Sequence, residues 1–317
     1  MKLAVGCLVQ WYEIDMFEEY LTSLTKSIGT QKENVLIDMC LSTNQDLEKI
    51  DTSTDMLTYV MYKYLKVCNE YRLEGYQIEY TITEKLFTIA DYRREFNEKY
   101  CEQVEVLLWG ESDMLVPSQA IETILSMQGV LREQTPKWIG FFATCKMWDD
   151  SWKILEHPKL TDLPRDPYAW YGTRSYMSYN KMEEVNSDVE SPEILPTYNY
   201  KFNGCGLIIS SELIKSGVNI PRSVFFTHED TALMNNMLST FGNQQIPFYI
   251  VKNILLVHNR EHPNKRMYVQ GESGKDINEQ RKSNSWYKVA SEMSKHNAYT
   301  FMKQDKTYKW EDVWGAL

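Results

Sequence analysis

Short apolar runs alternating with stretches of helical spacing dominate the first hundred residues, and this alternation is what most narrows the folds open to the chain. LAVGCLV (Leu3–Val9) is unbroken, as expected of a strand covered on both faces. Met16, Phe17, Tyr20, Leu21, Leu24 and Ile28 then recur at helical spacing. NVLIDMCLST (34–43) predicts a second strand, Asp46–Tyr71 a helix with Thr52, Ser53 and Thr54 as cap or kink positions, and GYQIEYTITE (75–84) an alternating strand. LFTIADYRREFNEKYC (86–101) reads as a helix and VEVLLW (104–109) as a fourth strand. A Ser118–Val130 helix and a strand with its exit in KWIGFFATCKMW (137–148) continue the pattern. Strand–helix–strand succession implies an α/β, Rossmann-like fold: a mixed, mostly parallel sheet flanked by helices.

With 317 residues, 43% hydrophobic and 25% charged, the chain can bury a real core in one large domain. A net charge of −10 disfavours bulk affinity for nucleic acid, which rewards a basic field. Six cysteines lie far apart with no CxxC pair, and no N-x-[ST] sequon occurs; reduced core thiols of a cytoplasmic protein are the expectation. The opening MKLAVGCLVQWYEID resembles a signal peptide, but Glu13, Asp15, Glu18 and Glu19 follow its short apolar run, so it is read as the first buried strand. No stretch reaches the roughly 18 uncharged apolar residues of a membrane span.

The fourth strand turns at Trp109-Gly110 and places Glu111 and Asp113 one residue apart. In extended chain, residues i and i+2 point the same way, and two such anions repel unless they splay or share a cation. Nothing basic stands beside them in the sequence. Ligands of open α/β sheets bind at the carboxyl ends of strands, which is where this pair falls. Downstream, residues 149–200 crowd Pro, Tyr, Trp, Asp and Glu with weak periodicity and read as a long loop. Its aromatics Trp152, Tyr168, Trp170, Tyr171, Tyr176 and Tyr179 serve packing or a stacking platform. NGCG (203–206) makes a turn into an apolar run, FFTHED (225–230) opens a helix with Thr227 as a possible N-cap, and an apolar strand (246–259) ends in His258. Taken singly these are a surface acid pair, a turn, a helix-dipole acid and a lone histidine.

In this order the pieces resemble the GT-A fold of nucleotide-sugar-dependent glycosyltransferases, in the manner of the family 2-like enzymes. That family carries a D-x-D-type acid motif, a glycine-containing loop, an x-E-D motif at a helix start and a C-terminal histidine. Here they stand as ESDMLVP with Glu111 and Asp113, NGCG with Gly204 and Gly206, HED at His228–Asp230, and VH at His258. The resemblance covers about residues 1–260. It implies a metal-dependent transfer of a hexosyl or pentosyl group from a nucleotide-diphosphate sugar to a hydroxyl acceptor, with Mn2+ or Mg2+ as cofactor. Asp113 would be the principal metal ligand, Glu111 an outer or water-mediated one and His258 the ligand from the far side, an oxygen-rich set that suits a hard cation. In inverting members Asp230 would be the base that takes the acceptor proton, with Glu229 orienting it; retaining members share the metal site. Gly204 and Gly206 would let backbone approach the donor sugar. Gln10, Ser42, and Arg93 or Arg94 would meet the nucleotide.

The chain departs from the pattern where many bacterial members end the second strand with DDGS, a nucleobase contact. Here MCLSTN (39–44) keeps Ser42 and Thr43 and lacks the acids. The acceptor would be a glycan, a lipid-linked sugar or a protein hydroxyl, with a hydroxymethylated nucleobase of viral DNA as the outsider; the basic residues at 260, 265, 266, 275, 281 and 282 could form its rim but are read first as a solvated surface. The alternative class, a nucleotidyltransferase or nucleotide-sugar binder, normally opens with a Gly-rich loop after the first strand, and LVQWYEIDMF contains none. The expected organisation is a nucleotide-sugar half (1–117), an acceptor half (118–260, with a loop at 149–202) and a C-terminal helical extension (261–317).

Overall fold

The computed structural model describes residues 1–44, 54–144, 157–160, 177–197, 203–242, 245–259, 285–303 and 305–317. The first half follows the alternation: β1 (Leu3–Gln10), α1 (Ile14–Ile28), β2 (Val35–Ser42), α2 (Thr54–Leu73), β3 (Gln77–Thr83), α3 (Ile89–Tyr100) and β4 (Val106–Trp109). Strand β1 pairs in parallel with both β2 and β4, and β2 with β3. Leu3, Val5, Cys7 and Val9 pack in a core with residues of α1, α2 and α4 (Ala120–Leu131), while Ala4 and Leu8 pack in a second core with residues of α3 and α7 (Glu229–Phe241). Both faces of β1 are therefore dry, which explains its unbroken apolar run.

The second half mixes directions. Between β4 and these later elements lies β5 (Met114–Leu115), followed by β6 (Ile139–Thr144), α5 (Tyr179–Asn186), β7 (Ile194–Thr197), β8 (Ile208–Ser210), α6 (Ser211–Lys215) and β9 (Phe248–His258). The strand order is β3-β2-β1-β4-β8-β6-β9-β5, with β7 also on β9. Strand β8 is antiparallel to β4 and β6, β9 runs parallel to β6, and β5 and β7 run antiparallel to β9. The long ladders are parallel, and one sheet runs through both halves of the chain.

Two local expectations are corrected, and others fall outside the described residues. Part of the stretch read as loop, residues 149–202, forms α5 and β7; Asn186 ties α5 to β9 by donating to Leu255 O at 3.0 Å and accepting from Leu255 N at 2.8 Å. Of that stretch's aromatics only Tyr179 lies among the described residues, with Lys26 Nζ 4.4 Å from its ring centre. Thr227 does not cap α7: the cap position is His228, in the left-handed region (φ 67°) and without a side-chain cap bond. The basic residues at 260–282 lie outside the described residues.

The helices Ser285–Thr300 and Trp310–Gly315 brace the approach to α7. Trp286 and Val313 close a small core with Phe225 and Phe226. Ser294 donates to Thr227 O at 2.7 Å, and Asn297 donates to Ser223 O at 2.6 Å. The residues entering the HED motif are thus held from outside by the C-terminal extension. Among the described residues no helix is long and apolar enough to cross a membrane.

Candidate active site

Strand β5 has two residues, and its register decides the site. Met114 pairs with His258 and Leu115 with Val257, and Asn259 N donates to Asp113 O at 2.8 Å. This pairing carries His258 from the end of the sheet to the acids that follow β4. Its Nε2 lies 2.8 Å from Glu111 Oε2 and 3.4 Å from Asp113 Oδ1. Glu111, Asp113 and His258 therefore converge at the carboxyl end of β4.

The acids are not bare. Arg93 of α3, only 2% exposed, donates through Nη2 to Glu111 Oε1 at 2.6 Å and to Gly204 O at 3.1 Å, and through Nη1 to Glu229 Oε1. Its guanidinium centre lies 4.7 Å from the Trp109 ring centre, a cation–π seat. One arginine thus ties the acid motif after β4 to the acid motif opening α7. Arg94, the other choice in the pair, is drawn elsewhere: it pairs with Asp91 and donates to Pro221 O and Val224 O. The structure puts Arg93 in the site and Arg94 outside it.

The two glycines of NGCG stand close against protein atoms. A Cβ on Gly204 would lie 2.0 Å from Arg93 Nη1, and one on Gly206, whose φ is +73°, 2.7 Å from Leu256 Cδ1. Both make room for protein atoms that build the site. Gly204→Ala should push the guanidinium off its partners and cost roughly 1–3 kcal/mol. Gly129→Ala, at an exposed position of α4 where an added Cβ meets nothing within 4 Å, should be neutral or stabilising by up to about 1 kcal/mol. Denaturant midpoints of the two variants check this contrast.

Electrostatics follow the geometry. Burial alone would raise the Glu111 carboxyl, but His258 and Arg93 override it and bring it down to about 2. Burial would lower His258; Cys205, Asp113 and Glu111 outweigh that and raise it well above its ordinary value. Arg93 is likewise raised, because Glu111 and Glu229 more than offset its burial. Glu229, unlike Glu111, is raised, to about 7, because burial and Asp230 outweigh its share of Arg93. Asp230 is also raised, by burial first and then by Glu111, even though Thr231 N donates to its Oδ1 at 2.6 Å. A helix start by itself should hold an acid ionised; here desolvation prevails.

Gln10 and Ser42 end β1 and β2 side by side in register, on the same carboxyl edge. Two residues near the acids were not among the expected site residues. Glu13, just past β1, accepts a 2.5 Å bond from Ser112 Oγ, the residue between the two acids. Cys205 has its Sγ within 4.8 Å of donor atoms of both Glu111 and His258; its place inside NGCG was the only hint.

A parallel β3-β2-β1-β4 half continued by the antiparallel β8 into β6, β9 and β5 is a GT-A-like fold. Scans against protein-family models and curated proteins find no match. Among solved structures, the mannosyltransferase PcManGT from Pyrobaculum calidifontis, in complex with GDP-Man and Mn2+, matches 99% of this chain and 68% of its own at 10% identity, with a TM-score of 0.52. The S. aureus TarS fragment 1–349 in complex with UDP matches over 79% of this chain at 12% identity and a TM-score of 0.45, and this chain spans 60% of that one. A UDP-glucose pyrophosphorylase complexed with UDP-glucose matches 80% of this chain and 91% of its own at 10% identity, with a TM-score of 0.36.

Proposed function

We propose that this chain is a metal-dependent glycosyltransferase that moves a sugar from a nucleotide-diphosphate sugar to a hydroxyl acceptor. The observation that carries the reading is the convergence of Glu111, Asp113 and His258 at the carboxyl end of β4, bridged through Arg93 to Glu229 beside Asp230. The PcManGT whose fold it shares was solved with GDP-Man and Mn2+, which suits that reading.

The donor set of two carboxylates and an imidazole fits a divalent cation such as Mn2+ or Mg2+. Asp113, Glu111 and His258 would hold it, and when bound it would offset the charge growing on the departing nucleoside diphosphate. Gln10 and Ser42, at the ends of β1 and β2, would line the nucleotide's seat. Asp230 would accept the acceptor's proton as the hydroxyl oxygen bonds to the anomeric carbon and the bond from that carbon to the diphosphate breaks. Glu229, anchored on Arg93, would orient it. Raised basicity suits Asp230 to the task, since a base works best with a pKa near the working pH. Buried free thiols at Cys7, Cys40, Cys68, Cys101 and Cys205 support a reducing compartment such as the cytoplasm.

His258 gives the test its sign. Protonated, it occupies the position between Glu111 and Asp113 that the cation needs; neutral, it is a ligand. Cation binding should therefore release a proton, and Mn2+ affinity should climb up to about tenfold per pH unit below the raised His258 pKa. Thermal-shift and calorimetric titrations of Mn2+ with UDP or GDP, in buffers of different ionisation enthalpy, measure both quantities. Nucleotide binding that is full in excess EDTA would overturn the cation reading, and Mn2+ binding that ignores pH would remove His258 from the proposed ligands.

A further inference from the structure

Among the described residues, Glu111, Cys205 and His258 form the single group of three or more His, Cys, Asp or Glu side chains whose donor atoms all lie within 4.8 Å of one another. The donor set on offer therefore includes a thiol as well as a carboxylate and an imidazole. Cys205 is 3% exposed, and its loop holds it in place. Gly206 N donates to Trp109 O at 2.9 Å, pinning the turn to the end of β4. The left-handed Gly206 sits against Leu256 of β9, two residues before His258.

We propose that Cys205 is a direct ligand of the cation, and that the site takes borderline metals such as Zn2+, Co2+ or Fe2+ in preference to Mg2+. This rests on the cation reading of the same site. A thiolate favours softer ions, whereas Mg2+ demands oxygen donors and sheds its water reluctantly. Donors about 2.0–2.3 Å from one ion lie roughly 3.3–3.8 Å apart in a tetrahedral arrangement. With Glu111 Oε2 and His258 Nε2 2.8 Å apart and Cys205 Sγ within 4.8 Å of donors on both, shifts of about 1 Å reach that spacing. On binding, the S–H bond breaks, its proton passes to solvent and a sulfur lone pair is shared with the metal; nothing is oxidised or reduced.

Cobalt reports its own ligands, so the experiment is a Co2+ titration of the full chain, with and without UDP, followed by absorption. The expected result is a near-ultraviolet sulfur-to-cobalt charge-transfer band together with strong visible bands, neither removed by excess Mg2+. Cys205→Ser should abolish the charge-transfer band and weaken Co2+ by at least the roughly tenfold that losing even an outer-shell partner of a metal typically costs. Its melting temperature verifies that it folds, and the unmodified chain's spectrum is decisive by itself. Saturable Co2+ binding without a charge-transfer band in the unmodified chain would overturn the role of Cys205 and leave the cation site standing. No saturable uptake of Co2+ or Mn2+ under either condition would overturn both.

Discussion

Asp230→Asn should lower turnover by roughly 10²–10⁴-fold, or about 3–5 kcal/mol of barrier, while folding and donor affinity stay near those of the unmodified chain. The amide keeps the shape and keeps Oδ1 as the acceptor for Thr231 N, which lies 2.6 Å away. What it loses is the ability to take a proton. A carboxylate that served only the helix start would give the opposite pattern, a loss of about 1 kcal/mol of stability with turnover kept. Melting temperature, nucleotide-sugar affinity by calorimetry and single-turnover rates on this one variant separate the two, and near-normal turnover would remove Asp230 from the base role.

The largest effect on stability is expected at Arg93. Replacing it with Met leaves buried Glu229 and half-buried Glu111 without their shared cation, and breaking such a pair typically costs about 3–5 kcal/mol. The loss should grow with pH. Glu229 already has its folded pKa raised to about 7, above its unfolded value. Its contribution is therefore fully present below the unfolded value and fades as pH rises through about 7. Without Arg93 the penalty for ionising it is larger. Denaturant melts at pH 5.5 and pH 8 should show the variant's deficit widening at the higher pH; a deficit under about 1 kcal/mol at both would mean that Arg93 does not balance these acids.

The sequence showed the parallel half of the sheet because β1, β2 and β4 are dry on both faces, and such strands print as apolar runs. Glu111, Asp113, Glu229, Asp230 and His258 were legible as punctuation at the ends of those elements. The cation–carboxylate pairing was not: Arg93 sits in the middle of α3 among other charged residues, and only the fold shows that it points inward while Arg94 turns to Asp91 and the Pro221–Val224 segment. Strand β5 is two residues long, below any periodicity, although its register delivers His258. Helix α5 and β7 were hidden because few of their residues are buried: one face of α5 meets β9, and β7 is half exposed. Cys205 resembled every other core thiol until the turn placed it near Glu111. The left-handed His228 carries no sequence mark, since such a backbone is expected of glycine or asparagine.

The position of β8 has a consequence for how the chain is made. Strand β4 is paired on one side by β1 and on the other by β8, which comes about a hundred residues later in the register that joins Leu108 to Ile208. Any nascent chain that has folded only its first four strands therefore presents β4 as an open apolar edge, the kind that recruits strands from other molecules. Synthesis must run past β6 before the capping strand exists. Chaperone demand should thus concentrate in that interval of translation, before β8 arrives and well before the last helices lock the approach to α7.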